Sequence, residues 1–403
     1  MSCIFGTARA LILGLFGSCH LLAAAAAPAG NQVVYLPSTA PGNSHLSRIT
    51  SDHDGRVFVS WVSEKDSLAS LAYSQLESDR WTEPRLISQG SDWFVNWADF
   101  PVLSVNDGNM AAHWLQKSSE GTYDYNIVAR FYDQAQQQWS ADTPVNTSGV
   151  NAEYGFVSML PLVGSQTLIT WLDGRNTRSQ SAPAAMTLRA AVFDAAGKNQ
   201  REWELDEAVC DCCQTSAAMT AQGPVVVYRD RSDEDVRDTS IVRFVDGNWT
   251  KPRTVHQDGW QIEGCPVNGP AVAAQQSAVA VAWFTARNES PKVQLALSSD
   301  SGETFSQPIL VAGPDTNGRI DAVILQSGET VVSWLNTADG EATIMLSRFG
   351  PSGNFIDRTQ VAKTSASRRS GFPVMDHVAN AVYVSWTDVS GPAEVRVARV
   401  NFE

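Results

Sequence analysis

The chain is short of positive charge. Its 403 residues carry 29 lysines and arginines against 43 acidic side chains, a formal net charge of −14. That deficit excludes a protein built to coat nucleic acid or to lie on anionic lipid, since both need basic patches. Long apolar runs are also scarce. Only the stretch from Ala10 to Leu22 approaches a continuous hydrophobic segment, and it is too short for a comfortable membrane span. Cysteine is used sparingly, with six in all, yet three of them fall within four positions in "VCDCCQTS", residues 209–216.

The apolar run itself has a role. Arg9 is the only charge before it, and "AAAAAPAG" follows. A charged start, an apolar core and a small-residue exit read as a secretory signal over residues 1–29, with Ala27-Pro28-Ala29 as the cut site. "LFGSC" offers a second reading, a lipoprotein box with a lipid anchor at Cys19. Either way the expected destination is a Gram-negative type of periplasm or the exterior. The mature chain then keeps Cys210, Cys212, Cys213 and Cys265.

What the chain has in plenty is repetition. An alternating apolar strand ending in an aromatic residue recurs at Trp61, Trp114, Trp171, Tyr228, Trp283, Trp334 and Trp386, with successive intervals of 53, 57, 57, 55, 51 and 52. Period-2 runs between turn residues are strands. Each has a short apolar strand about thirteen residues before it, as in "DFPVLSV", and two further strands after it, as in "SIVRFVDG" and "NWTKPRTVH". Four strands per unit of this length is the signature of a β-propeller blade. The seventh unit lacks a fourth strand, and "NQVVYLPS" near the N-terminus resembles one without a unit of its own. The expectation is an all-β, seven-bladed propeller spanning residues 30–403 as a single domain, closed by its N-terminal strand. A six-bladed ring is the alternative if the third unit, with its insertion "DGRNTRSQSAPAA", is not a true blade.

Residues 298–305, "SSDSGETF", match the Asp-box pattern at Ser298, Asp300, Gly302, Thr304 and Phe305. The chain therefore resembles the sialidase-like, BNR-repeat propellers. That resemblance implies an arginine triad gripping a substrate carboxylate, a nucleophilic tyrosine with a glutamate partner, and a catalytic aspartate. Arg48 in "SRIT" falls in the slot of Pro101 and Pro373, and the position of the family's first arginine is filled by Leu46. No full triad and no tyrosine–glutamate pair is apparent.

In a four-stranded blade, the loops entering each innermost strand emerge on the same face as the loops between strands two and three. On this near face the entry loops bring "CDCC" and "GCPVNGPAV" together. Cys210 lies 18 residues before Tyr228 and Cys265 lies 18 before Trp283, so they are equivalent positions in adjacent blades. Four sulfurs at the axial opening are expected. Three readings stay open: two disulfides, such as Cys210 with Cys265 plus a local bond; a soft-metal site in which Cys210, Cys212, Cys213 and Cys265 hold Cu or Zn; and a redox role. The loop after Tyr228 adds Arg229 and Asp230, placed to face the axis. Arg319, with Arg368 and Arg369, is placed to grip an anion. Asp99 and Glu153 are a carboxyl pair suited to acid–base work on a sugar. The leading expectation is an exported propeller with an axial cysteine site binding a soft metal. The alternatives are a glycosidase or lyase acting on acidic sugars, and a ligand- or protein-binding propeller without chemistry. Expected partners are a small molecule, a metal or a glycan, and the chain is expected to act as a monomer.

Overall fold

The computed structural model describes residues 31–106, 108–179, 184–338 and 340–402. The expected export signal and the Cys19 anchor lie outside them. The described residues form seven antiparallel sheets; six follow the chain from innermost to outermost strand, and the seventh takes its outermost strand from Gln32–Leu36. The six-bladed alternative is thereby set aside. The third unit is a full blade of Tyr154–Leu162, Gln166–Asp173, Met186–Phe193 and Asn199–Val209. Its insertion lies in the loop between the second and third of these strands, so it leaves the ladder intact.

The second strand of each blade is the most deeply buried, because neighbouring blades cover both of its faces. Val57–Lys65, Asn109–Lys117, Gln166–Asp173, Pro224–Arg229, Ala278–Thr285, Thr330–Asn336 and Ala381–Asp388 are these strands. Their repeated aromatics sit between sheets, from Trp171, Tyr228 and Trp283 at 0% exposed to Trp386 at 3%. Each such ring removes roughly 200 Å² from water, about 5 kcal/mol of transfer free energy. The outermost strands are more broken. In two blades a proline interrupts them, Pro84 between Arg80–Trp81 and Arg85–Gly90, and Pro252 between Asn248–Trp249 and Arg253–His256. Proline cannot donate to a ladder, so it is tolerated only at such edges.

Ring closure is direct. Gln32–Leu36 pairs antiparallel with Glu394–Asn401, from Gln32 opposite Asn401 to Leu36 opposite Val397. The last blade thus takes its outer strand from the other end of the chain, which removes its free edge. The hairpin of residues 298–305 is held locally: Asp300 accepts from the Thr304 amide at 2.8 Å, and the Gly302 amide donates to Ser298 Oγ at 2.9 Å. Gly302 has φ +80°, which suits glycine.

The innermost strands surround an axial channel with a cavity of about 330 Å³, to which every blade contributes, for example Thr50, Ser104, Pro161, Ala218, Ala274, Ile324 and His377. Where the chain enters these strands it repeatedly takes a left-handed residue: Leu46, Phe156, Arg319 and Gly371, each 15 residues before its blade aromatic. For the three that are not glycine this conformation costs about 1–2 kcal/mol each. The turn re-aims the entry loops over the channel mouth.

Candidate functional site

The cysteine loop follows Asn199–Val209 and leads into Ser216–Met219. Its sulfurs do gather with Cys265, as the blade register implies. The pairing differs in detail from the expectation. Cys212, not Cys210, forms the disulfide with Cys265, across a Cα–Cα distance of 5.9 Å. Cys212 lies two residues nearer the axis-facing strand, and the turn between them puts its sulfur, rather than that of Cys210, toward the next blade. Cys210 and Cys213 are free, buried thiols 2.6 Å apart. The Sγ atoms of Cys210, Cys212 and Cys213 all lie within 4.8 Å of one another. The set of four thiolates expected for Cu or Zn is thus not what this structure holds, because two of its sulfurs are bonded to each other. It would require that disulfide to be reduced first.

Two guanidiniums stand beside these thiols. Arg237 is 3% exposed, its Nη2 donates to Asp235 Oδ1 at 3.0 Å, and its guanidinium also hydrogen-bonds the Cys210 sulfur. Arg229 is 2% exposed. Burial pushes the Cys210 thiol up, but the hydrogen bond from Cys213, the Cys212 amide and the charges of Arg229 and Arg237 outweigh it and hold it at about 7. Burial, and then Cys210 itself, push Cys213 well above the ordinary thiol value.

Next to this loop lies a second cluster that the sequence reading only half saw. Asp99, from the loop entering the second blade, and Glu153, from the loop entering the third, are joined by Tyr125. The Tyr125 hydroxyl is 2.9 Å from Glu153 Oε1 and 3.2 Å from Asp99 Oδ2. Tyr125 opens the strand Tyr125–Asp133 and stacks on Phe94 at 4.2 Å between centroids. The Phe156 amide donates to Asp99 Oδ1 at 2.7 Å. Gly155 makes room for this, since a Cβ there would lie 1.8 Å from Asp99 Oδ2. Burial raises Asp99 to about 8 against the pull of the Phe156 amide and Tyr125. Burial also raises Glu153 to about 7, with the nearby Asp211 carboxylate adding to it. Both acids therefore hold protons near neutral pH.

Asp99 lines a cavity of about 130 Å³ at the channel mouth, together with Arg48, Ser158, Gln214, Thr215 and Asp321. Gln214, directly after the cysteines, closes the top. Its Nε2 donates to Ala98 O at 2.7 Å, and its Oε1 accepts from the Gly269 amide at 3.0 Å. The cysteine loop and the carboxyl cluster are thus parts of one near face.

Two of the expected anion grips, Arg229 and Arg319, spend their donors within the protein, whereas Arg368 and Arg369 are exposed. Arg229 gives its donors to Asn268 O, Arg237 O and Phe284 O, and stacks over Trp260 at 4.9 Å. Arg319 gives its own to Ser370 Oγ, Gly371 O and Ala366 O, and lies over Trp97 at 5.3 Å. Both are struts between entry loops, because a buried guanidinium must satisfy its donors and backbone carbonyls are the acceptors within reach. Asp230 accepts from Ser240 Oγ at 2.8 Å and from the Arg231 amide at 2.7 Å, so it caps its own hairpin. Arg48 alone among the axial arginines lines the cavity, 5.0 Å over Phe100.

No family model matches the chain, and no curated protein matches it. Solved structures do. The endosialidase of phage phi92 matches over 93% of this chain and 69% of that one, with 10% identity and a TM-score of 0.51. An α-L-arabinofuranosidase from Fusarium graminearum matches over 92% and 97%, at 12% identity and a TM-score of 0.49. A sialidase from Streptococcus pneumoniae matches over 92% and 70%, at 11% identity and a TM-score of 0.45. This chain is a sialidase-like β-propeller in fold. At such identities the likeness is one of fold, and activity must be argued from the site.

Proposed function

We propose that the near face is the acid–base site of an exported enzyme acting on a carbohydrate, with Glu153 and Asp99 as its proton-carrying groups. The observation that carries this reading is the Tyr125 hydroxyl shared by two carboxyls at 2.9 and 3.2 Å. Perturbed acids at a cavity are the usual mark of such a site; here Asp99 lines the axial cavity and Glu153 is joined to it through Tyr125. Glu153 is the less buried of the two and is suited to protonating a leaving oxygen. Asp99 then returns a proton to it through Tyr125, which donates to one carboxylate as it accepts from the other acid. Arg48 lines the cavity beside Asp99 and Asp321, a polar lining that suits a sugar, with Arg48 as the group placed to take an anionic substituent. One structure of similar fold is an endosialidase. At about 130 Å³ the cavity takes one sugar residue or less.

The test is turnover of a panel of chromogenic sialosides, uronides and neutral glycosides by the wild type and by Glu153→Gln. The expected result is activity on an acidic member, reduced about 10²–10⁴-fold in kcat/KM by the substitution. Activity that survives Glu153→Gln unchanged, or a panel without turnover or binding, sinks the reading.

A second reading stays with the sulfurs, because three of them lie within 4.8 Å. On reduction of Cys212–Cys265 the loop and Cys265 offer four thiolates, a set that suits Cu(I) or Zn. Metal analysis of protein purified under reducing conditions tests it, with stoichiometric metal lost on Cys265→Ser as the supporting result.

A further inference from the structure

The cysteine loop holds chemistry that acid–base work on a sugar does not use. It holds an exposed pair and a buried pair side by side. Cys265 is solvent-exposed and bonded to the partly buried Cys212. Cys210 and Cys213 are 0% and 1% exposed, and face each other at 2.6 Å. An S–S bond between them needs the sulfurs to close by only about half an ångström. A pair meant solely to brace the fold has no need of cationic company. Here the buried Arg237 guanidinium hydrogen-bonds the Cys210 sulfur.

We propose that these four cysteines form a two-stage disulfide relay, in which the buried Cys210/Cys213 pair exchanges two electrons with the Cys212–Cys265 disulfide, and Cys265 exchanges them with an external dithiol or disulfide. The Cys210 thiolate attacks the Cys212 sulfur. A Cys210–Cys212 bond forms, the Cys212–Cys265 bond breaks, and Cys265 leaves as a thiolate that takes a proton from solvent. Cys213 then gives up its proton and attacks Cys210. The Cys210–Cys213 bond forms, the Cys210–Cys212 bond breaks, and Cys212 leaves as a thiolate and is protonated. Two electrons and, in sum, two protons pass from the buried pair to the exposed pair. An external disulfide reoxidises the exposed pair and is itself reduced to two thiols. The sequence runs backwards with an external dithiol.

Cys210 is the attacking group for two reasons. Its sulfur lies within 4.8 Å of the Cys212 sulfur, with the buried Arg237 guanidinium against it. Cys213 adjoins Cys212 in the chain, and neighbouring cysteines pair only with strain, so a direct Cys213–Cys212 step is disfavoured. The relay is independent of the sugar reading, and either stands without the other.

The test uses the full chain, fully oxidised and then given one equivalent of dithiothreitol. Free thiols are alkylated after acid quenching and mapped by mass spectrometry. The expected label is on Cys210 and Cys213, although the reductant reaches only the exposed pair. In Cys212→Ser/Cys265→Ser the buried pair is expected to be reduced about tenfold more slowly or worse. In Cys213→Ser, where the second step is blocked, a Cys210–Cys212 disulfide with a free Cys265 is expected. Label confined to Cys212 and Cys265 overturns the relay. So does wild-type reduction of the buried pair in the double variant, or stoichiometric Cu or Zn on all four sulfurs in the protein as purified. Circular dichroism checks that the double variant is folded. If it is not, the Cys213→Ser species decides alone: a Cys212–Cys265 bond retained without any Cys210–Cys212 product overturns the proposal.

Discussion

The buried carboxyl at position 99 makes a quantitative demand on stability. In the folded chain Asp99 holds its proton up to about pH 8, whereas its ordinary value is 3.8. Between those limits the folded state binds a proton that the unfolded state releases. Stability contributed here is therefore fully present at low pH, falls as pH rises through this window, and is level above pH 8. The difference of about 4 units, at about 1.4 kcal/mol each, is about 6 kcal/mol between pH 4 and pH 9. Spread over the unfolding entropy of about 370 residues, that is about 8 °C in melting midpoint. Asp99→Asn removes the titration and keeps the geometry, since the amide oxygen still accepts from the Phe156 amide and the amide nitrogen faces Tyr125. Melting followed by circular dichroism at pH 5 and pH 9 gives the measurement. The wild type is expected to lose up to that amount relative to the variant, with the variant the more stable at pH 9. Parallel pH profiles for the two proteins would refute the reasoning, because they would mean that no proton is held at Asp99 in the folded state.

Two further outcomes follow from the fold. Arg319→Ala strips three acceptors of their donor and empties the space over Trp97, so a loss of about 3–5 kcal/mol is expected in urea unfolding. A variant of unchanged stability but weakened anion binding would restore the grip that the sequence suggested. Removing residues 31–36 uncovers the edge of Glu394–Asn401, and the shortened chain is expected to melt earlier and to associate in light scattering.

The ring was legible because its signal is redundant. Seven buried aromatics at intervals of 51 to 57 residues mark seven second strands, and each must be flanked by partners to bury both faces. The closing strand was legible by deficit: the last unit lacked an outer strand and "NQVVYLPS" lacked a blade. The breaks at Pro84 and Pro252, by contrast, were not foreseen: stretches read as single outer strands divide where proline lacks an N–H. None of this depends on where a side chain points.

The site depends on little else, and that is where the reading divided. Counting back from the blade aromatic gives 18 residues to Glu153, Cys210 and Cys265, and 15 to Asp99, Cys213 and Arg319. These two registers recover most of the near-face groups, so a strict comparison of the entry loops finds the site by position. It does not give function by position. In the 15-residue slot a carboxyl shares a proton with a tyrosine, a thiol meets another thiol, and a guanidinium ties loops together. The guanidinium turns inward because five donors must be satisfied and carbonyls of neighbouring loops are the acceptors at hand. Tyr125 belongs to neither register. It opens a third strand, and only the packing of Phe94 against its ring brings its hydroxyl between two carboxyls from different blades. A pairwise spacing rule cannot report a contact set by a third residue, which is why Tyr125 was missed while both acids it touches were named.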